Sequence, residues 1–305
     1  MRFAKSLLRI RQQLQFVLAL SLLAVFSSAC AVSRTRHIAR IRAFPPPHEA
    51  SVAQLVSAIN LQSGSVHSLT ATVDLAPSTG STYSGVIKQY HDVRGFILAE
   101  RPAWIRVVGQ APVVRTDIFD MASDGRRFSL YIPSQNKFYV GPAALGRHFQ
   151  NSLENLRPQH ILDALLLQPL DPAHASYFAE EAEEGEEQYY VVSEISGSGP
   201  GLVELERKIW FDRSNLQISR VELYGSGGKY LEDVRYSDYR DFDGLRYPAQ
   251  IAIRRPVEDY SLTIKILNAR FNAPLPASKF TLKRPASAQQ IDVGLSAAGE
   301  AARGR

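Results

Sequence analysis

The chain has 305 residues, 45% of them hydrophobic and 21% charged, which is enough for one large folded domain or two small ones. Its formal charge is +5 at pH 7, and Arg2, Lys5, Arg9 and Arg11 near the start account for all but +1 of it. The remaining charges are scattered and nearly balanced, which excludes the basic footprint of a nucleic-acid-binding protein.

Residues 1–29 have the pattern of a bacterial export signal. A basic head precedes an apolar run from Leu14 to Phe26, which is shorter than the ~20 residues of a membrane-spanning helix. Small residues then precede Cys30, the single cysteine of the chain. This order resembles a lipoprotein cleavage site, at which Cys30 becomes the lipidated first residue, although Ser27 stands where leucine is favoured. A secreted protein that is cut near Ala29 is the alternative.

Residues 30–49 are predicted to be an extended tether between this anchor and the folded domain. Four arginines and the run Pro45-Pro46-Pro47 lie in this segment. Consecutive prolines favour a stiff extended chain, and arginines near a lipid anchor can lie against anionic headgroups. A merely solvated linker is the alternative.

The folded domain is predicted to span residues 50–283 and to begin with a helix from about Ser51 to Ser63. Val52, Leu55, Val56 and Ile59 recur at the spacing of one apolar helical stripe. Ser51 is the expected N-cap, and Gly64 is the expected end of the helix.

Short apolar runs that alternate with polar residues follow the helix and predict strands, because this period of two is typical of half-buried strands. Asp124-Gly125 between two such runs predicts a tight hairpin, since its turn needs positive φ. We expect six or seven antiparallel strands in sequential order up to Gly141, and a second series between Tyr189 and Phe280. The first three are expected at Leu69–Leu75, Tyr83–His91 and Arg94–Ala99.

The segment between the two series has a different character. Pro158 to Leu167 predicts a short apolar helix, and a second short helix is expected from Pro172 to Glu181. Helices inserted between strands of an antiparallel sheet must pack over one of its faces. The acidic run Glu180–Glu187 is predicted to be a solvated loop. Residues 284–305, rich in Ala, Ser, Gly and Gln, are predicted to be a mobile tail.

Three motifs lie on the expected strands: Arg101-Pro102-x-Trp104, Ser123-Asp124-Gly125 and Tyr131-x-Pro133. In this order they resemble the core pattern of the LolA/LolB family of lipoprotein carriers and acceptors. The resemblance implies an α+β fold, mainly β, in which a strongly curved antiparallel sheet forms an unclosed half-barrel with short helices as a lid. It further implies binding of acyl chains of lipoproteins or lipids, without catalysis, during their localisation to the outer membrane. The domain would face the periplasm, anchored through Cys30, with a periplasmic carrier protein as a further partner.

The resemblance also assigns roles to single residues. The arginine that matches Arg101 in the carrier branch lies near the lid and donates hydrogen bonds to backbone carbonyls there, a role that suits its five donors. An arginine that merely ends a strand before Pro102 is the alternative. Seven residues are candidates for the lining of the acyl cavity, with ordinary core packing as the alternative for each: Trp104, Ile118, Phe128, Leu130, Tyr131, Phe138 and Trp210.

No motif of a hydrolase, a metal site, a redox pair or a phosphate-binding loop occurs in the sequence, and the seven histidines are dispersed. We therefore expect no catalytic residue, metal or cofactor. Gln89–Leu98 and Gly141–Phe149 are candidates for an apolar loop that contacts the bilayer. The competing hypothesis is a lipid-anchored periplasmic sensor or scaffold of the same fold, which binds a protein partner and no lipid. A filled core without a cavity would favour this second hypothesis.

Overall fold

The computed structural model describes residues 47–79, 88–89, 93–111, 115–143, 157–171, 173, 175–199 and 201–293. They belong to one compact unit that begins at Pro46. The expected signal peptide, Cys30 and most of the expected tether lie outside the described residues. The last residues of that tether are part of the fold, however, because the backbone N–H of His48 donates to the carbonyl of Arg213 at 2.7 Å. Glu49 also forms an ion pair with Arg213, so the predicted boundary at residue 50 is too late.

The described residues form two α-helices and fifteen strands. The helices are α1 (Val52–Ser65) and α2 (Pro158–Leu165). The strands of the first half are β1 (Ser68–Thr79), β2 (Lys88–Gln89), β3 (Val93–Glu100), β4 (Trp104–Gln110), β5 (Asp117–Ser123), β6 (Arg127–Ile132) and β7 (Lys137–Pro142). Those of the second half are β8 (Ser176–Glu184), β9 (Glu187–Gly199), β10 (Leu202–Asp212), β11 (Ile218–Gly225), β12 (Lys229–Phe242), β13 (Leu245–Arg255), β14 (Tyr260–Phe271) and β15 (Gln289–Asp292).

All of these strands belong to one sheet, in the order β15-β7-β6-β5-β4-β3-β1-β14-β13-β12-β11-β10-β9-β8, with β2 paired to β1. Neighbouring strands are antiparallel except β15 and β7, which are parallel. The two halves meet where β1 pairs with β14, for example Leu69 opposite Phe271. The end strands β8 and β15 lie at opposite edges, so the curved sheet is unclosed. The predicted mainly β fold with an unclosed antiparallel sheet is confirmed.

The sheet has two faces of different character, which we call the inner and the outer face. The inner face carries the helices and the apolar core, to which α1 contributes Leu55 and Ile59 and α2 contributes Ile161, Leu162 and Leu165. Strand residues alternate between the faces. The outer face carries mainly polar and partly buried side chains, so the core lies on the inner side of the sheet.

Helix α1 begins as expected and ends later than expected. The Ser51 hydroxyl accepts from the N–H of Gln54, and the Gln54 side chain accepts from the N–H of Ser51, which is a capping box. The helix continues past Gly64 to Ser65. The side chain of Asn272, at the end of β14, donates to the carbonyl of Ser65 at 2.8 Å and accepts from the N–H of His67 at 2.8 Å. This side chain from another element supplies the end signal that Gly64 was expected to give.

The predicted helix over Pro172–Glu181 and the predicted acidic loop are both wrong. Residues Ser176–Glu184 form strand β8, which pairs with β9 across a turn at Gly185, where φ is +68°. The negative charges of these glutamates are balanced within the strand because cationic side chains pair with them across the sheet. Lys208 contacts Glu180 at 3.0 Å, and Arg213 contacts Glu181 at 2.7 Å. Charged side chains also suit an edge strand, since they discourage pairing with another chain.

The predicted tail is wrong as far as Val293, and the residues beyond it lie outside the described part of the chain. Gln289–Asp292 form β15 beside β7, and Val293 donates its N–H to the carbonyl of Val140 at 2.7 Å. Val293 is buried in the core, and its carbonyl lies where a side chain on Gly141 would otherwise stand. The glycine makes this close approach possible.

Replacing Val293 with aspartate should lower the free energy of unfolding by about 3 kcal/mol, because it buries an unpaired charge. The exposed neighbour Asp292 provides the control, and Asp292→Ala should leave the unfolding midpoint almost unchanged. Urea denaturation followed by circular dichroism measures both. Equal midpoints for the two variants would contradict the structural role of this segment.

Candidate functional site

The candidate site is a segment that lies across the inner face without pairing in the sheet. We call residues 158–170 the lid: they comprise α2 and the extended segment Leu166–Leu170. Helix α2 packs on β4, β5 and β13. The buried apolar residues of the lid are Ile161, Leu162, Ala164, Leu165, Leu166, Leu167 and Leu170.

The lid fills the space beneath it. Among the described residues, the cavity under the end of α2 has a volume of only about 10 Å³, bounded by Arg101, Leu165, Leu167, Tyr236 and Tyr247, among others. That is about the volume of a single water probe. The structure is therefore a closed form, in which apolar lid side chains occupy the inner face.

Two tyrosines of the inner face hold the end of α2. The last carbonyls of a helix lack partners within the helix. The hydroxyl of Tyr236 donates to the carbonyl of Ala164 at 3.0 Å, and the hydroxyl of Tyr247 donates to the carbonyl of Leu165. Burial raises the pKa of both tyrosines well above its ordinary value, so both hydroxyls remain protonated donors.

Arg101 connects the lid to helix α1. Its Nη2 donates to the carbonyl of Leu167 at 2.7 Å, and its Nη1 contacts Oε1 of Gln168 at 3.4 Å. On the other side, its guanidinium donates to the carbonyls of Ser63 and Val66, at 3.3 and 3.0 Å. Burial lowers the pKa of Arg101, which the negative charge of Asp163 opposes. One of these acceptors, the carbonyl of Leu167, belongs to the lid, and the gating role that the resemblance implies remains a prediction.

Arg207 and Asn60 hold the rest of the extended segment, and sequence reasoning missed both. Arg207 donates to the carbonyls of Gln168 and Pro169, at 3.0 and 3.2 Å, and forms an ion pair with Glu194 at 2.7 Å. Asn60, on α1, donates to the carbonyl of Leu170 at 3.0 Å and accepts from its N–H at 2.8 Å. A signal for Arg207 was present, because it alternates with the apolar Ile209 and Phe211 and so takes an inner-face position.

A buried ionic group lies beside the start of α2. Arg255 pairs with Glu232 and with Glu258, and all three side chains are at most 8% exposed. His160 on α2 lies 2.9 Å from the hydroxyl of Tyr260. Burial raises the pKa of Glu232 to about 7, although the positive charge of Arg255 opposes this shift. The described residues contain no group of three or more His, Cys, Asp or Glu side chains placed to hold a metal ion.

Of the seven candidates for the cavity lining, the structure places two on the inner face. Phe128 and Leu130 belong to the apolar core there, and the guanidinium of Arg157 lies 4.6 Å from the ring centre of Phe128. Both remain candidates for contact with a ligand.

The prediction is wrong for the other five: alternation along their strands places four of them on the outer face, and Ile118 is exposed at a bulge. Trp104 packs against Phe280, with ring centres 5.5 Å apart, and Tyr131 lies against Phe138. Trp210 packs edge-on against Tyr189 and donates to Glu222 at 2.9 Å. Ile118 lies at a bulge of β5, where it has no partner on β4, and it is 38% exposed. The candidates were chosen mainly for their large aromatic side chains, whereas the face on which a side chain lies depends on its position along the strand. The five residues are Trp104, Ile118, Tyr131, Phe138 and Trp210.

Comparisons with known proteins find solved structures that are similar to this one. One family model, described only as "Uncharacterized protein", matches residues 170–284, which is less than half of the chain. No curated protein matches the chain. A DUF1329 family protein from Desulfovibrio piger is 14% identical, with coverage of 74% of this chain and 94% of that one and a TM-score of 0.49.

Two further solved structures are similar to a comparable degree. A LolA superfamily protein from Nitrosomonas europaea is 14% identical, with coverage of 74% of this chain and 97% of that one and a TM-score of 0.46. An outer membrane lipoprotein-sorting protein domain from Vibrio parahaemolyticus is 13% identical, with coverage of 75% and 94% and a TM-score of 0.46. In the described part of this chain, no helix has the length and apolarity needed to cross a membrane.

Glu232→Gln should change how the stability depends on pH. The ordinary pKa is 4.5 and the folded pKa is about 7, so between these values the folded chain holds more protons on Glu232 than the unfolded chain does. The contribution of Glu232 to the free energy of unfolding is therefore full below pH 4.5 and falls by about 3 kcal/mol as the pH rises to 7.

Denaturation of both proteins at several pH values measures this effect, because the difference between wild type and variant cancels the titration of His160 and of other shared groups. The difference should decline with rising pH. A difference that stays constant, or that grows with pH, would contradict the raised pKa.

Proposed function

We propose that this protein binds acyl chains of lipoproteins or lipids on its inner face, without catalysis, and takes part in their localisation to the outer membrane. The observation that carries the proposal is the construction of the lid. Its apolar side chains cover an apolar sheet face, and side chains of other elements hold its backbone by hydrogen bonds. A ligand can take the place of such a segment without breaking the pairing of any two strands.

The hydrophobic free energies of the lid and of an acyl chain support an exchange of one for the other. Each buried methylene stabilises by about 0.8 kcal/mol, so an acyl chain that crosses water uncovered loses a large stabilisation. The leucines of the lid occupy the inner face in the closed form, and an acyl chain would regain the same apolar contacts when they leave. The free energies of the ligand-bound form and the closed form then differ little, because both bury similar apolar contacts. Transfer of an acyl chain therefore needs no nucleotide.

Arg101 is the proposed gate of this exchange. Its contacts with Leu167 and Gln168 exist only while the lid lies on the inner face, whereas its contacts with Ser63 and Val66 lie within the α1 region. Movement of the lid would free part of a charged donor group, which opposes opening. The position of Arg101 therefore favours the closed form.

The sequence supports the proposed location. Lipidation of Cys30 would anchor the protein to the outer membrane, with the domain facing the periplasm, and a periplasmic carrier protein would deliver its ligand. The small residues before Cys30 and the apolar run before them support this arrangement.

A second candidate is a lipid-anchored sensor or scaffold that binds a protein partner and no lipid. The filled inner face favours it, because the cavity under the lid holds only about 10 Å³. In this case the lid is a permanent part of the core, and partner binding would use the outer face or the edge strand β8.

Photochemical labelling separates the two candidates. The full chain would be incubated with palmitic acid that carries a diazirine near the end of its chain, irradiated and digested. We expect saturable labelling of peptides that contain the inner-face residues Phe128 and Leu130 or the lid. Because Leu130 and Tyr131 are neighbours on opposite faces, Leu130→Gln should weaken labelling about tenfold through an unfavourable buried amide, and Tyr131→Gln should not.

Circular dichroism would verify that both variants remain folded. Absent or non-saturable labelling would contradict acyl binding and leave the scaffold. Labelling confined to Trp104, Trp210 and the rest of the outer face would also contradict a site under the lid.

A further inference from the structure

We propose that Arg207, with Glu194, is a second latch of the lid, which holds it on the side opposite to Arg101. The inference deepens the proposed function, since it concerns the same lid. It is also supported by the separate contacts of Arg207, which belongs to a strand in the second half of the sheet. Arg207 lies on β10, whereas Arg101 follows β3 in the first half.

The planar guanidinium of Arg207, which we call its fork, donates three hydrogen bonds. Nη1 donates to the carbonyl of Gln168 at 3.0 Å and Nη2 donates to the carbonyl of Pro169 at 3.2 Å, so the two ends of one guanidinium hold two successive residues. The third nitrogen, Nε, donates to Glu194 at 2.7 Å. A planar guanidinium can make these three contacts together, whereas the ammonium of lysine is a point charge on a flexible chain.

Glu194 makes this latch different from that of Arg101. The side chains of Arg207 and Glu194 are 9% and 12% exposed, so each charge is balanced by the other in a nearly buried position. Arg101 has no carboxylate within ion-pairing distance among the described residues. When the lid leaves, Arg207 keeps a charged partner on the neighbouring strand β9, which holds its fork in place for the lid to return. Arg207 is thus a positioning residue for closure.

The two arginines and Asn60 together hold four successive lid residues. Arg101 contacts Leu167, Arg207 contacts Gln168 and Pro169, and Asn60 contacts Leu170. Loss of one anchor leaves the others, so we expect partial release from each single variant and larger release from Arg101 and Arg207 variants combined.

Hydrogen exchange of the full chain tests this inference without any ligand. The N–H of Leu170 reports directly on the lid, because it donates to Asn60 on α1. The N–H of Leu166 donates to Leu162 within the lid and reports on it indirectly, because an eight-residue helix is marginal in water once it leaves the sheet. Arg207→Lys keeps the positive charge beside Glu194 and loses the fork. We expect about tenfold faster exchange at Leu166 and Leu170, and unchanged exchange in the β1–β14 pair at the centre of the sheet.

The matched control is Lys208→Gln, on the adjacent residue of β10, which faces outward and pairs with Glu180 at 3.0 Å. It should leave exchange of the lid unchanged. Glu194→Gln is the second latch variant and should accelerate exchange at the same two amides to a smaller extent, because the fork loses its charged partner. Loss of acyl labelling alone would contradict the proposed function and not the latch.

The inference is overturned if Arg207→Lys leaves exchange of the lid at the wild-type rate. It is also overturned if exchange accelerates equally in the lid and in the β1–β14 pair, since Arg207 would then only stabilise the fold as a whole.

Discussion

The structure depends on one constraint, which is that the polar backbone of a segment lying on an apolar face needs partners. Residues 166–170 have no neighbouring strand to supply them. A buried carbonyl without a hydrogen bond costs free energy comparable to a lost hydrogen bond, so other elements must provide donors. Arg101, Arg207 and Asn60 do so, and two tyrosines hold the end of α2 just before this segment. The lid therefore depends on side-chain contacts, whereas the sheet beneath it is held by its own backbone.

This division separates what is rigid from what can move. The sheet pairs every described strand with a neighbour, and its inner face carries the apolar core together with a few buried charged side chains that are paired. The lid could leave without disturbing that pairing, because its polar contacts are with side chains. Charged donors form stronger hydrogen bonds than neutral ones, so the contacts of Arg101 and Arg207 stabilise the closed form. The same contacts would resist opening until an apolar ligand offsets their loss.

The sequence predicts the fold better than the site, for physical reasons. Local sequence signals were reliable where near neighbours determine the structure, as for the N-cap at Ser51 and the Asp124-Gly125 hairpin. Strand β8 was missed because its glutamates are balanced by Lys208 and Arg213, which lie far away in the sequence. The lining residues were chosen by aromatic size, although alternation along the strand decides the face. Arg207 could have been noticed as a charge in an apolar alternation, but its lid partners are visible only in the fold.

The most direct test of the central claim is hydrogen exchange of the full chain with and without saturating palmitic acid. The claim is that the lid moves as a unit from the inner face when an acyl chain binds there. We predict faster exchange at the amides of Leu166 and Leu170 in the presence of ligand, with the β1–β14 pair as protected as before. Equal or slower exchange of the lid under conditions where the ligand is bound would contradict the claim, because the ligand would then lie elsewhere.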